Sequence, residues 1–332
     1  MRLSIVTTLY WSAATVNEFH RRVMAAAEPL ADEIELIFVN DGSPDESLDL
    51  ALALQRTDSR VVVVDLSRNF GHHRAMMTGL AHASGELVFL IDSDLEEEPE
   101  LLRRFYEILA HNDIDVVYGI QKRRRGSFTE RFVGEIFIHL LEMLSDYPFP
   151  RNVVTVRLMR RDYVRALVRH RDREFLIAQL WQVSGFRQVP ETIEKLSNSL
   201  TTYSFRRRIS MAIKYLTTTS TRLLYMIFFL GIGIFGLSSL VILYFLSRYF
   251  FTGIGVDGFT SVIVSIWLFG GLTTLILGIL GIYIANIFTE TKRRPYTIVR
   301  QIYRAQNVGI EAAPNIIAAA SRGAVKDRGA VA

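Results

Sequence analysis

The stretch LVFLIDSD (87–94) decides the fold, because five consecutive apolar residues lead directly into two carboxylates separated by one residue. A short apolar run of this kind is typical of a strand buried on both faces of a parallel sheet. A second such run ends at Asn40 and is also followed by polar residues. Open α/β sheets bind their ligands at the carboxyl ends of the strands, so these polar residues are predicted to border a ligand site.

Working outward from this strand, short apolar runs alternate with segments of helical period over the first 120 residues. This alternation predicts βαβ units and a Rossmann-like parallel sheet covered by helices. The predicted strands are Arg2–Thr7, Glu35–Asn40, Val61–Asp65, Leu87–Ile91, Asp115–Gly119, Val153–Met159 and Phe186–Val189. The predicted helices are Ala14–Leu30, Asp45–Gln55, His73–Ala83, Thr129–Leu144, Asp162–Val168 and Glu174–Val183.

The composition indicates that one part of the chain lies in water and another part lies in lipid. Of 332 residues, 50% are hydrophobic and only 22% are charged, and the mean hydropathy is +0.22. Charged residues are absent from Leu223–Ser247 and from Gly258–Thr289. At about 1.5 Å per residue, each run is long enough to cross a hydrocarbon core of ~30 Å. The sequence therefore predicts a C-terminal two-helix transmembrane hairpin.

Basic residues flank this hairpin on both sides. Arg206–Arg208, Lys214 and Arg222 precede it, and Tyr203–Ser220 reads as a basic amphipathic helix lying on an anionic membrane surface, with a solvated core helix as the alternative. Lys292, Arg293 and Arg294 follow it. The positive-inside rule then places both ends in the cytoplasm, which predicts a multi-pass protein of the inner (plasma) membrane. The predicted divisions are an α/β domain (1–202), an interfacial helix (203–222), two transmembrane helices (223–289) and a basic segment with a mobile tail (290–332).

The acidic strand ends suggest specific chemistry. Asp92 and Asp94 can hold a hard divalent cation through oxygen ligands, and that cation can bridge a diphosphate, although an isolated Asp-x-Asp is also common in turns. Asp41 can accept hydrogen bonds from a ribose or a base, with a helix-capping Asx turn as the alternative. The chain has no cysteine, which excludes disulfides, thiolate nucleophiles and cysteine-based metal sites.

Together the motifs are recognisable. The segments VNDGS (39–43), RNFGH (68–72), DSDLEEEPE (92–100) and VVYG (116–119), followed by a membrane hairpin that ends in KRRP (292–295), resemble the polyisoprenyl-phosphate glycosyltransferases of glycosyltransferase family 2. The resemblance covers residues 1 to about 304. It implies a GT-A catalytic domain that uses a nucleotide-sugar donor (UDP- or GDP-linked), Mg²⁺ or Mn²⁺, and a polyprenyl phosphate acceptor. It also suggests self-association, and it implies no nucleic-acid partner.

The resemblance also assigns roles. Asp94 is implied to be the main metal ligand. Asp92 and Glu96 are implied to be further ligands, and Glu96 stands at the position of the family's usual Gln. Inversion at the anomeric carbon is implied, by a single displacement in which the anionic acceptor phosphate needs no strong base. The implied catalytic residues are Asp94, Arg131 and Arg157. The implied nucleotide-side residues are Thr8, Tyr10, Asp41, Ser43, Asp92, Ser93, Arg124 and Lys195.

Three departures from the family pattern keep alternatives open. The run TLYWS (8–12) replaces the usual Pro-x-Tyr-Asn-Glu, Thr155 stands where many members carry an acid, and KLSNSL (195–200) replaces a segment with Arg and Gly. The alternatives are transfer to another lipid acceptor and a non-catalytic nucleotide-sugar-binding membrane protein. His72 and His73 are interpreted as a helix start, and Trp181 as a packing residue.

Overall fold

The computed structural model describes residues 1–121, 143, 152–170, 172, 175, 177–194, 222–252, 259–292 and 294–305. The strands are β1 (Arg2–Leu9), β2 (Glu33–Asn40), β3 (Val61–Leu66), β4 (Leu87–Leu90), β5 (Val116–Gln121), β6 (Val153–Arg160), β7 (Gln188–Ile193) and β8 (Val299–Tyr303). The helices are α1 (Val16–Ala27), α2 (Ser47–Thr57), α3 (His72–His82), α4 (Leu101–His111), α5 (Arg161–Arg169), α6 (Ile177–Val183), α7 (Arg222–Thr252) and α8 (Phe259–Thr291). The strands predicted from the sequence are all present, with ends shifted by a few residues.

The strands form one mixed sheet in the order β7-β5-β6-β4-β1-β2-β3-β8. Strands β4, β1, β2 and β3 run parallel to one another, which confirms the predicted βαβ half. Strand β6 is antiparallel to both β4 and β5, and β8 is antiparallel to β3. The parallel neighbours β4, β1 and β2 thus end at the same edge, and their polar carboxyl ends meet there.

Both faces of the sheet are covered by apolar helix faces. Successive strand side chains point to opposite faces, so Ile5 lies in the core on one side while Val6 lies in the core on the other. Phe19 of α1 and Phe105 of α4 fill the first core, and Met76 of α3 packs in the second. This double coverage explains why the central strands consist of nearly uninterrupted apolar residues.

The C-terminal helices are long, at 31 residues for α7 and 33 for α8. Within the part of the chain that the structure describes, one stretch, Phe269–Thr291, is long and apolar enough to cross a membrane, and its side chains are not buried. A shorter apolar stretch, Leu224–Ile234, lies in α7. Of the two predicted crossings, the second therefore has a helix of sufficient length and apolarity, and the two-helix hairpin stays a prediction.

Strand β8 comes from a segment that the sequence indicated only as basic and membrane-flanking. Val299 and Ile302 pack against the second core, and Ile302 pairs with Val64 of β3. The chain therefore returns from α8 and completes the edge of the sheet. The predicted basic helix Tyr203–Ser220 and the predicted helix Thr129–Leu144 lie outside the described residues, apart from position 143.

Candidate active site

A pocket of about 230 Å³ opens at the carboxyl edge of β1 and β2. Its lining combines the end of β1, the turn after β2, the loop after β3 and the start of α3. The strand ends supply the polar groups because three parallel neighbours terminate here. The lining residues are Thr8, Tyr10, Asp41, Asn69 and His72. Three of these, Thr8, Tyr10 and Asp41, were predicted from the sequence.

Asp41 is buried and joins two loops. Its carboxylate accepts the N–H groups of Phe70 at 2.7 Å and Gly71 at 3.0 Å. Burial raises the pKa of Asp41, and these two hydrogen bonds oppose that rise. Gly42 follows with φ of 61°, and a Cβ there would lie 2.6 Å from the backbone of Arg68, so only glycine fits this close approach. The predicted contact between Asp41 and the nucleoside stays a prediction.

Ser43 connects the β2 turn to the loop after β1. Its hydroxyl accepts the N–H of Trp11 at 2.8 Å and donates to Asp45 Oδ1 at 2.5 Å. Trp11 has φ of 57° and an exposed ring, an uncommon state for a bulky residue. Strained residues of this kind persist where surrounding contacts hold them, often beside functional sites. The structure therefore uses the Ser43 side chain to position Trp11.

His72 has a larger role than the helix start predicted for it. It does begin α3, but its Nδ1 also lies 3.0 Å from Thr8 Oγ1, and its Nε2 lies 3.3 Å from Asp92 Oδ1. Burial lowers the pKa of His72, but Asp92, with smaller contributions from Asp41 and Asp94, raises it above the ordinary value overall. The signal that could have indicated this role is the position of His72 directly after RNFG (68–71).

Ser93 is buried and lies between Asp92 and Asp94 in the chain. Its hydroxyl donates to the carbonyl oxygen of Thr8 at 2.9 Å and lies 3.1 Å from Ser12 Oγ. It therefore ties the end of β4 to the end of β1. The predicted nucleotide contact of Ser93 stays a prediction.

The acidic turn after β4 presents carboxylates of different exposure. Asp94 is exposed and accepts the N–H of Glu96 at 2.9 Å, while Leu95 between them has φ of 61°. Asp92 is half-buried beside His72. The turn thus holds one carboxylate at the surface and one against His72, which lines the pocket.

These carboxylates fit a hard divalent cation. Mg²⁺ and similar ions prefer oxygen ligands, and one or two protein carboxylates suffice when phosphates and waters complete the shell. Asp92 and Asp94 offer that pair. Within the described ranges, which omit 122–142 and 195–221, no three His, Asp or Glu side chains are grouped as metal ligands. A third ligand from Glu96 stays a prediction.

Arg157 lies apart from the pocket. Its side chain is only 1% exposed, and its guanidinium carbon lies 3.0 Å from the centre of the Trp181 ring. Burial lowers the pKa of Arg157 to about 9, while Tyr163, Tyr118 and Glu97 partly offset this effect. The arginine therefore remains charged at neutral pH inside an aromatic enclosure. Its predicted contact with the substrate stays a prediction.

The predicted acceptor-side and diphosphate-side cations fall in segments that the structure does not describe. Arg124, Arg131 and Lys195 all lie outside the described residues, as does the basic cluster that begins at Lys122. Their assigned roles stay predictions.

Comparisons with known proteins assign the family. The model of "Glycosyl transferase family 2" matches residues 4–168. A Mycobacterium tuberculosis protein named "Putative glycosyltransferases" is 51% identical over 303 residues, covering 91% of this chain and 89% of the relative. The Bacillus subtilis protein "Uncharacterized glycosyltransferase YkcC" is 31% identical over 311 residues, covering 92% and 96%.

Among solved structures, that of Staphylococcus aureus TarS 1-349 in complex with UDP-GlcNAc is similar with a TM-score of 0.43 and 19% identity. The match covers 66% of each chain, just under two thirds. The two sequence relatives, by contrast, match over nearly their whole length, and the family model begins in β1 and ends in α5. The chain therefore belongs to glycosyltransferase family 2 and has a GT-A-like α/β domain.

Proposed function

We propose that this protein transfers a single sugar from a nucleotide-sugar to a polyprenyl phosphate at the cytoplasmic face of a membrane. The observation that carries the proposal is the meeting of the Asp92–Asp94 turn with the pocket bordered by Asp41 and His72 at one sheet edge. Family membership supplies the reaction class. The exposed apolar helix α8 supports a lipid-soluble acceptor.

The reaction is an in-line displacement that inverts the anomeric carbon. The bond from this carbon to the donor diphosphate breaks, the diphosphate leaves with the electron pair, and an acceptor phosphate oxygen forms the new bond. The acceptor is already an anion at neutral pH, so no side chain has to remove a proton. A divalent cation at Asp92 and Asp94 would neutralise the charge that builds on the leaving diphosphate.

The protein side chains would bind and orient the donor. Thr8, Tyr10 and Asn69 border the space available to the nucleoside, and the backbone around Asp41 is fixed by hydrogen bonds to Phe70 and Gly71. A rigid pocket lowers the entropic cost of holding the donor in a reactive orientation. The nucleotide base and the sugar are to be identified by experiment.

The placement of β8 supports a membrane hairpin. The strands before α7 and the strand after α8 belong to one sheet, so both ends of the helical region lie on the same side of any membrane. The number of crossings is then even. If α8 crosses, a second crossing is required, and the 31-residue α7 is the candidate.

The reaction is tested with purified protein, undecaprenyl phosphate, a panel of radiolabelled UDP- and GDP-sugars, and Mn²⁺ or Mg²⁺ with and without EDTA. We expect an organic-extractable, acid-labile product from one donor, formed only with metal. No product from any donor, despite nucleotide binding, would contradict the proposal. Product from a non-phosphorylated lipid acceptor would instead favour transfer to another lipid.

Asp94→Asn tests the acidic turn. The amide keeps an oxygen that can accept the N–H of Glu96, so the turn is preserved while the charge is lost. We expect transfer to fall by about 10²-fold or more, as for loss of one electrostatic contact to a leaving group, with an unchanged Tm. Asp162→Asn, whose carboxylate is 83% exposed on α5, is the matched control. Full activity in Asp94→Asn would remove the metal assignment.

A further inference from the structure

The segment after α8 is joined to the strand ends that carry the pocket. The carbonyl oxygen of Ile298 accepts the N–H of Ser67 at 2.9 Å, directly after β3. The hydroxyl groups of Thr297 and Thr78 lie 2.8 Å apart, which links the same segment to α3. These contacts place the segment after α8 beside the end of β3, and β3 pairs with β2.

Arg300 connects β8 to a buried acid. Its Nη1 lies 3.2 Å from Asp65 Oδ2, and its Nη2 donates to the carbonyl oxygen of Ser67 at 2.8 Å. The Asp65 side chain is 2% exposed, whereas that of Arg300 is 58% exposed. A buried carboxylate is costly unless it is paired and hydrogen-bonded. Arg300 therefore provides positive charge to Asp65 from the solvent side.

Asn40 links Asp65 to Ser43 in the turn after β2. Its Nδ2 donates to Asp65 Oδ1 at 2.8 Å, and its Oδ1 accepts the N–H of Ser43 at 3.2 Å. An ionised carboxylate only accepts hydrogen bonds, so Asp65 fixes which end of the Asn40 amide faces it. The other end must then be the oxygen that holds Ser43. The orientation of the Asn40 amide thus depends on the carboxylate of Asp65.

Ser43 links Asn40 to Trp11, which lies next to the pocket residue Tyr10. It accepts the N–H of Trp11 and so holds that residue at its positive φ. The Trp11 ring lies edge-on to Tyr10, with 6.4 Å between the ring centres, and Tyr10 lines the pocket. A continuous series of contacts therefore runs from Arg300 on β8 to Tyr10.

We propose that Arg300 is a positioning residue of the donor site, acting through Asp65, Asn40 and Ser43, so that the chain beyond the membrane helix helps to form the nucleotide pocket. The proposal rests on the proposed function, because it assigns nucleotide binding to that pocket. It makes donor affinity depend on the docking of β8. An Arg300 that only stabilised the sheet would affect unfolding and leave donor affinity unchanged.

The first test compares Arg300→Gln with Arg304→Gln in the full chain. Both changes remove one exposed cation from the segment after α8, but Arg300 contacts Asp65. Binding of UDP–Mn²⁺ and GDP–Mn²⁺ is measured by calorimetry, and the donor KM and kcat are measured separately. For Arg300→Gln we expect a nucleotide Kd and donor KM raised about tenfold, consistent with a lost charged hydrogen bond, with kcat at saturating donor within about twofold. Arg304→Gln is expected to match the wild type.

The second test exchanges the two partners between strands. Asn40→Asp alone places two carboxylates in contact, and Asp65→Asn alone removes the charge that orients Asn40. The double variant restores both contacts with the roles reversed, because the new amide on β3 would donate to the new carboxylate on β2, which still accepts the N–H of Ser43. We expect each single variant to weaken nucleotide binding about tenfold or more. The double variant, which restores the hydrogen bonds of residue 40 but not the ion pair of Arg300, is expected to bind more tightly than Asp65→Asn and less tightly than the wild type. This test stands even if Arg300→Gln does not fold.

The outcomes separate the two proposals. If the wild type binds the nucleotide and Arg300→Gln binds it equally well while its Tm falls, Arg300 is only structural and the inference is overturned. A folded double variant that binds nucleotide no more tightly than Asp65→Asn also overturns it. If the wild type binds neither nucleotide, the proposed function fails, and the inference falls with it.

Discussion

Asp45 joins the loops beside the candidate site through hydrogen bonds. Its Oδ1 accepts hydrogen bonds from the hydroxyl groups of Ser43 and Ser47, and its Oδ2 accepts the N–H of Ala13. Asp41 and Ser93 act similarly, since each joins two loops. Polar residues that the sequence indicates as substrate contacts therefore also serve to hold the loops around the pocket.

The stability of the Asp45 contacts is predicted to depend on pH. Desolvation favours a higher pKa for Asp45, but the hydrogen bonds from Ser43, Ser47 and Ala13 outweigh it and lower the pKa from 3.8 to about 2. A carboxylate with a lowered pKa stabilises the folded state above its unfolded pKa. This stabilisation is therefore lost as the pH falls from about 4 to about 2.

We expect Asp45→Asn to reduce the free energy of unfolding at pH 7 by about 1 kcal/mol and Tm by about 2–4 °C. The difference from the wild type should shrink when thermal unfolding is measured at pH 3. Asp49→Asn, an exposed aspartate on the same helix α2, is the matched control and should keep the wild-type Tm at both pH values. An equal loss at pH 7 and pH 3 would show that ionisation of Asp45 is not responsible.

At the scale of the element, helix α3 positions His72 by packing closely on the sheet. A Cβ at Gly79 would lie 2.5 Å from Val6 Cγ1 and 2.8 Å from Val39 Cγ2. Both valines are fully buried, and their branched side chains have little freedom to move. The absence of a side chain at Gly79 lets α3 approach β1 and β2.

Gly79→Ala is therefore expected to destabilise the protein by a net ~1–2 kcal/mol, because overpacking outweighs the ~1 kcal/mol gained in helix propensity. Thermal or denaturant unfolding in detergent measures this change. Gly278→Ala in α8 is the matched control, since an added Cβ there meets no neighbouring atom within 4 Å. A Gly79→Ala variant as stable as the wild type would contradict the close packing of α3.

In the whole molecule, the position of β8 in the sheet restricts how the two long helices can cross a membrane. The sheet contains strands from both before and after the two long helices. Those strands must share one side of any membrane that the helices cross. The constraint follows from the pairing of β3 with β8 and does not depend on the hydropathy of the helices.

Topology is tested with single-cysteine variants, which is direct because the natural chain contains no cysteine. In inside-out vesicles we expect an impermeant maleimide to label Asp113→Cys and Arg304→Cys, which precede and follow the helices. Asp257→Cys, which lies between α7 and α8 in the sequence, should be labelled only from the opposite side. Labelling of all three positions from one side would contradict the two-crossing hairpin.

Local patterns predicted much of this fold. The apolar run at 87–91 and the acids that follow it indicated a buried strand ending at a ligand site. The strand is confirmed, and its parallel pairing places its carboxyl end beside that of β1. Asp41 was placed at that edge by the same reasoning, whereas Thr8 and Tyr10 were implied by the family resemblance, and all three line the pocket. These features are accessible from sequence because strand period, helix period and strand direction depend on near neighbours along the chain.

By itself, the sequence determined the alternation of strands and helices, the apolar C-terminal runs and the acids at the strand ends. Only the tertiary structure decided that β8 completes the sheet, that Arg157 is enclosed against Trp181 and that His72 bridges Thr8 and Asp92. Arg300 and Asp65 are 235 residues apart, and Thr78 and Thr297 are 219 apart. Periodicity shows which face of an element is apolar, but the partner of that face depends on how distant elements pack in three dimensions.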